Sequence, residues 1–143
     1  MLYLDTSLLV ALITTEERTA RAHDWLAGVD DDLVTSEWTR VEVASALSIK
    51  QRQGVLDAVG RTEAEYAFAV ITDQGLDLLP VETLDFRRAA DYVRPPERNL
   101  GGADALHIAV AGRLGATVHS LDDAQVEAAR ELGVDAVVTV PKE

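Results

Sequence analysis

The chain has 143 residues, the usual size of one domain, and carries 13 basic against 25 acidic side chains, a formal charge of −12. Apolar residues make up 48%, which excludes wholesale disorder, and the absence of cysteine removes disulfides, thiolate metal sites and cysteine nucleophiles. So negative a molecule repels polyanions and does not adhere to nucleic acid by charge alone; it suits a metal cation or a basic protein segment.

In chain order, Leu2-Tyr3-Leu4 reads as a short strand, Asp5-Thr6-Ser7 as capping residues, and Leu8 to Ile13 as the start of a buried helix. Thr14-x-x-Glu17 has capping-box spacing and predicts a polar helix to about Leu26, with Gly28 beyond it. Leu33 to Thr35 follows as a strand, then a longer helix from about Ser36 to a stop at Gly54. Thr62-x-x-Glu65 predicts the opening of another helix, and Leu78-Leu79-Pro80-Val81 a short strand whose proline marks an edge or an end. Leu84 to Val93 is helical, Pro95 to Gly102 a loop, and Ala103 to Leu114 a strongly apolar helix ended by Gly115. Thr117 to Ser120 is a strand, Ala124 to Leu132 a helix, and Val134 to Val140 a last strand. This alternation implies one α/β domain over residues 1–143, a mainly parallel sheet with helices on both faces. The longest unbroken apolar run, Leu8 to Ile13, is too short to span a bilayer. Asp5 stands where a signal peptide carries basic residues, so a cytoplasmic protein is expected.

Ligand sites of open parallel sheets form outside the carboxyl ends of the strands, where Asp5 and Asp122 fall. Either can equally be a helix N-cap, and Asp123 reads as a better cap than Asp122. Glu42 shares a helix face with Trp38, Ser45, Ala46 and Ile49, the stripe expected to pack on the sheet, where an ionised carboxylate needs a partner. Asp104 opens the almost wholly apolar helix and again reads either as a cap or as a site residue. Four carboxylates gathered in this way repel one another, a conflict that a hard cation such as Mg²⁺ or Mn²⁺ removes; such clefts hydrolyse phosphodiesters.

These residues carry a resemblance. Leu4-Asp5-Thr6-Ser7, Glu42 within Arg40-Val41-Glu42-Val43-Ala44-Ser45-Ala46, Ala103-Asp104-Ala105-Leu106-His107-Ile108-Ala109, and Ser120-Leu121-Asp122-Asp123 occur in order along the chain. The pattern resembles the PIN-domain ribonucleases, and among them the VapC-like toxins of type II toxin–antitoxin modules. The resemblance implies a three-layer α/β/α fold, Mg²⁺- or Mn²⁺-dependent endoribonuclease activity, a cognate antitoxin and a homodimer. It implies Asp5, Glu42, Asp104 and Asp122 as the catalytic quartet, with Asp5, Asp104 and Asp122 as metal ligands. Thr6, Ser7 and Ser120 would hydrogen-bond the carboxylates or the metal's waters. Two residues depart from the pattern: Ser120 replaces a threonine, and Gln125 stands where an apolar residue is usual.

Arg40, Arg94 and Arg98 are candidates for binding the RNA backbone, against a plain reading as surface ion pairs. The three histidines read as structural or exposed, and no nucleotide-cradling glycine loop is present. Trp25, Leu26 and Trp38 exceed what a small sheet face requires and suggest a groove, which in the resembled family receives an antitoxin segment. The competing reading is a PIN-like protein-binding module without turnover, acting in an antitoxin or repressor complex. A phosphatase using Asp5 as nucleophile ranks last, because Ser7 occupies the place where a second aspartate is wanted.

Overall fold

A computed structural model describes all 143 residues. Five strands, β1 (Leu2–Leu4), β2 (Leu33–Ser36), β3 (Leu76–Leu79), β4 (Thr117–Ser120) and β5 (Ala136–Val138), form one sheet in the order β3-β2-β1-β4-β5, and every pairing is parallel. Seven helices cover its two faces: α1 (Thr6–Ile13), α2 (Thr19–Ala27), α3 (Glu37–Arg52), α4 (Ala58–Asp73), α5 (Thr83–Val93), α6 (Gly102–Leu114) and α7 (Asp123–Glu131). No helix is long and apolar enough to cross a membrane.

The period of two along β1 divides the core. Leu4 points into a cluster with Leu8, Leu9 and Leu12 of α1, Val43 and Leu47 of α3, and Phe68 of α4. Tyr3 points the other way, to Ile108 and Val110 of α6 and Val126 and Ala129 of α7. The result is the three-layer α/β/α arrangement expected from the alternation of strands and helices. α6 is buried continuously from Ala105 to Ala111, which explains why its sequence shows almost no polar face. It ends at Gly115, whose φ of 65° is the left-handed cap conformation that glycine adopts without strain.

Both predicted capping boxes are corrected. Thr14 donates its hydroxyl to Val10 O at 2.6 Å and so finishes α1; α2 starts only at Thr19, whose hydroxyl accepts from Glu16 N at 2.8 Å. Thr62 lies inside α4 and donates to Ala58 O, while Asp57 caps that helix through Gly60 N at 2.7 Å. The true capping box is Glu82 with Asp85 at the start of α5. Pro80 lies just past the end of edge strand β3, and β5 is shorter than the predicted 134–140 span.

Candidate active site

β1 pairs with β2 on one side and β4 on the other, so the carboxyl ends of β1 and β4 straddle the point where the chain's winding changes direction. A cleft of about 720 Å³ opens there. Its walls include Asp5, Thr6 and Ser7 after β1, Glu42 of α3, Asp104 and His107 of α6, and Asp122 to Gln125 after β4. All four candidate carboxylates therefore face one cavity, although they come from four separate stretches of chain.

Asp5 is 3% exposed and serves as the N-cap of α1, its Oδ1 accepting from Leu8 N at 3.0 Å. Ser7 donates to Oδ1 at 2.8 Å, and Ser120 donates to Oδ2 at 2.7 Å. Burial pushes the Asp5 carboxyl up; the Leu8 amide, the two serines and the charge of His107 offset this only partly. Asp122 is the N-cap of α7, accepting from Ala124 N and Gln125 N, because the helix begins at Asp123 rather than Ala124. The cap is thus Asp122 and not Asp123, although both line the cleft. For Asp5 and Asp122 the capping and cleft-lining readings hold together.

Asp104 is not a cap. Gly101 takes the N-cap position of α6, and Asp104 stands at the third helical position, facing the cleft and a neighbouring cavity of about 260 Å³. Burial and the nearby Asp122 raise its carboxyl to about 6, with Asp5 and Glu42 adding to the rise and His107 opposing it.

Glu42 sits on the flank of α3 rather than on the stripe that meets the core, which is Thr39, Val43 and Leu47. Its side chain is 21% exposed. Thr6 donates to its Oε1 at 2.8 Å, and His107 Nε2 bonds the same oxygen. Burial favours the neutral acid, but the His107 bond and charge and the Thr6 hydroxyl prevail and hold Glu42 below the usual glutamate range. On its far side His107 Nδ1 lies 2.7 Å from the Tyr3 hydroxyl, itself 3.0 Å from Ser36 Oγ. Because ionised Glu42 can only accept, Nε2 is the nitrogen that donates to it. The sequence reading missed this network, since nothing in an apolar helix distinguishes His107 from an ordinary core residue.

The arginines divide. Arg40 is two residues from Glu42, about 200° around the helix, and instead bonds Glu37 at 2.9 Å beside a groove formed with α4 and β3. Arg94 is exposed and bonds Asp91 at 2.7 Å, outside the cleft. Arg98 donates to Tyr92 O and lines the smaller cavity shared with Asp104. The cations on the cleft itself are Arg18 and Lys142, which the sequence did not suggest. Arg18 reaches Leu121 O and Val140 O, each at 3.1 Å, and so ties α2 to the chain after β4 and β5. Trp25 and Trp38 do not share a groove: Trp25 packs with the α1–α4 layer and stacks on His119, whereas Trp38 packs with α5 and α6 in the other.

A PIN-domain model matches residues 2–131, nearly the whole chain. The chain belongs to the PIN-domain family. A curated relative of this PIN domain, Ribonuclease VapC47 of Mycobacterium tuberculosis (strain CDC 1551 / Oshkosh), is 33% identical over 118 residues, covering 80% of this chain and 76% of that protein. Among solved PIN structures, the sarcin-ricin loop cleaving toxin VapC20 of Mycobacterium tuberculosis superposes with a TM-score of 0.73 at 22% identity, over 90% of this chain and 95% of its own. VapBC2 of Rickettsia felis, bound to a DNA fragment from its promoter, gives a TM-score of 0.68 at 14% identity, over 96% and 98% of the two chains.

The donor set of this PIN cleft suits a hard divalent cation. Burial, together with the charges of Asp122, Asp5 and Glu42, lifts Asp104 to about 6, and no cysteine or paired histidine competes for a softer metal. No group of three acidic or histidine side chains is set to hold a metal ion by itself. Mg²⁺ does not require one, since it keeps several waters and uses one or two carboxylates.

Proposed function

We propose that this PIN domain is the toxin of a VapBC-type toxin–antitoxin pair, an endoribonuclease dependent on Mg²⁺ or Mn²⁺ and neutralised by a cognate antitoxin. The observation that carries the reading is the convergence of Asp5, Glu42, Asp104 and Asp122 on one cleft at the sheet's switch point. Support for the RNA substrate comes from the 33% identical relative that bears the name ribonuclease, and for the antitoxin from the VapBC2 complex.

In this reading Asp5 and Asp104 would hold the cation directly and Asp122 directly or through water, and the bound ion would supply charge to polarise the scissile phosphate and the attacking water. Asp5 is aimed in advance by Ser7, Ser120 and the Leu8 amide. Glu42, kept ionised by His107 and Thr6, accepts a hydrogen bond from water and sets its direction. Arg18 and Lys142 offset the acidity of the cleft where an RNA backbone enters, with Arg98 behind Asp104.

Melting of the antitoxin-free protein in Mn²⁺ tests the cation. At a hundredfold excess over its dissociation constant the ion stabilises the fold by about 2.7 kcal/mol, a rise of about 5–10 °C for a domain of this size. A melting temperature unchanged by millimolar Mn²⁺ or Mg²⁺ removes the metal from the account. It leaves the protein-binding module, in which Asp5 and Asp122 serve only as caps.

A further inference from the structure

Gln125 lies in the first turn of α7, is 1% exposed, and borders both the acid cleft and the smaller cavity beside Asp104. Its Oε1 is 2.9 Å from Ser120 Oγ, while its Nε2 is buried without a partner. Around Ser120 the hydrogens do not balance in this arrangement. A serine hydroxyl has one proton to give and two lone pairs to offer. Asp5 Oδ2, at 2.7 Å, only accepts when ionised and forms the shorter, charge-assisted bond, so it takes the proton. The Asp122 amide fills one lone pair at 2.9 Å. The Ser7 proton goes to Asp5, and the Ser7 oxygen accepts from Leu121 N at 3.0 Å. Ser120 is left with one unfilled lone pair, and Gln125 with both of its amide N–H groups unspent. A half-turn of the amide about its last torsion brings Nε2 to Ser120 with no change in shape and pairs one amide N–H with that lone pair.

We propose that Gln125 is a positioning residue for Asp5, acting through Ser120. Its Nε2 donates to Ser120 Oγ and thereby commits the Ser120 proton to Asp5 Oδ2. Without that donor the Ser120 hydroxyl can turn to Ser7 Oγ, 3.3 Å away, and Asp5 loses a bond that fixes one of its oxygens. The consequence for metal affinity rests on the ribonuclease reading given above; the hydrogen-bond order does not.

Two measurements on the full chain test it. In the metal-free, isotope-labelled protein, the side-chain amide protons of Gln125 are expected to show strong nuclear Overhauser contacts to the Ser120 β-protons. Contacts directed away from Ser120 overturn the proposal. Second, Mn²⁺ affinity is measured by calorimetry for wild type, Gln125→Met, Ser120→Ala and the double variant. Gln125→Met is expected to weaken Mn²⁺ binding about tenfold in the wild-type background and hardly at all beside Ser120→Ala. Equal weakening in both backgrounds, or none in the first, overturns the proposal. If wild type binds no Mn²⁺ the ribonuclease reading fails, and the amide contacts alone decide for or against Gln125.

Discussion

Asp104→Asn is expected to abolish RNA cleavage while making the metal-free protein more stable at neutral pH. The two effects have one cause. Asp104 is pushed to about 6 by burial and by Asp122, Asp5 and Glu42, so its ionised form is resisted by the fold. A carboxyl raised from 3.8 to about 6 costs the folded state up to about 3 kcal/mol once ionised, and somewhat less after solvent screening at a partly exposed group. The sign follows from proton binding: the folded state holds this proton more tightly, so the penalty is absent below 3.8. It grows between about 4 and 6 and is complete above 6. Asparagine keeps the shape and cannot ionise. Melting curves should therefore show Asp104→Asn above wild type at pH 7.5 and near it at pH 4.5, with the order reversing in saturating Mn²⁺. Cleavage should fall by about a thousandfold or more, the scale of losing a principal electrostatic group in an active site. An active variant, or one destabilised at neutral pH, contradicts the role given to Asp104.

Arg113→Ala is expected to destabilise the protein by about 3–5 kcal/mol, the usual cost of stripping the partner from a buried charge. Asp85 is fully buried at the start of α5, where its Oδ2 accepts from Glu82 N at 2.8 Å. Arg113, in the last turn of α6, donates from Nε to Oδ1 at 2.8 Å and from Nη2 to Oδ2 at 2.9 Å. Burial alone would raise the Asp85 carboxyl, but the Arg113 bonds outweigh it and hold the group below its usual value. In wild type the pair therefore stabilises above pH 4 and fades as pH falls through the depressed value. Without Arg113 the burial penalty is opposed only by the Glu82 amide and the charge of Arg88, and protonation relieves what is left of it. The gap between variant and wild type in chemical denaturation should accordingly be widest near pH 7.5 and narrow toward pH 4.5. The pair fastens α5 to the helix that carries Asp104 and His107, so cleavage should decline in step with unfolding. A gap that does not change with pH would mean that Asp85 is not the charge being stranded.

The fold was legible wherever the pattern was strong. The short apolar stretches at Leu2–Leu4, Leu33 onward and Thr117–Ser120 are strands, and the apolar run from Ala103 is a central helix. Helix starts were not legible, because Thr-x-x-Glu has the same spacing at a cap, at the end of the preceding helix (Thr14) or inside one (Thr62). The acids of the cleft could be named from short motifs lying next to strand ends and helix starts. The side chains that hold them are another matter. His107 draws its meaning from Tyr3, 104 residues away in the chain, and from Glu42, 65 away. Arg18 and Lys142 meet at the cleft only after the sheet has closed. Arg40 lies off the cleft because residues two apart on a helix face nearly opposite directions.

In the proposed function the acidic cleft cuts RNA with a divalent cation. It is tested most directly by incubating antitoxin-free protein with a mixed RNA pool that includes tRNA and rRNA, in Mn²⁺ or Mg²⁺, with EDTA and Asp5→Asn samples alongside. Asparagine at position 5 retains an N-cap acceptor for Leu8 N, so that variant should stay folded. Discrete cuts that appear with metal and vanish in both controls are the predicted result. Cutting that persists in both controls, or no cutting by folded protein that binds Mn²⁺, would contradict it.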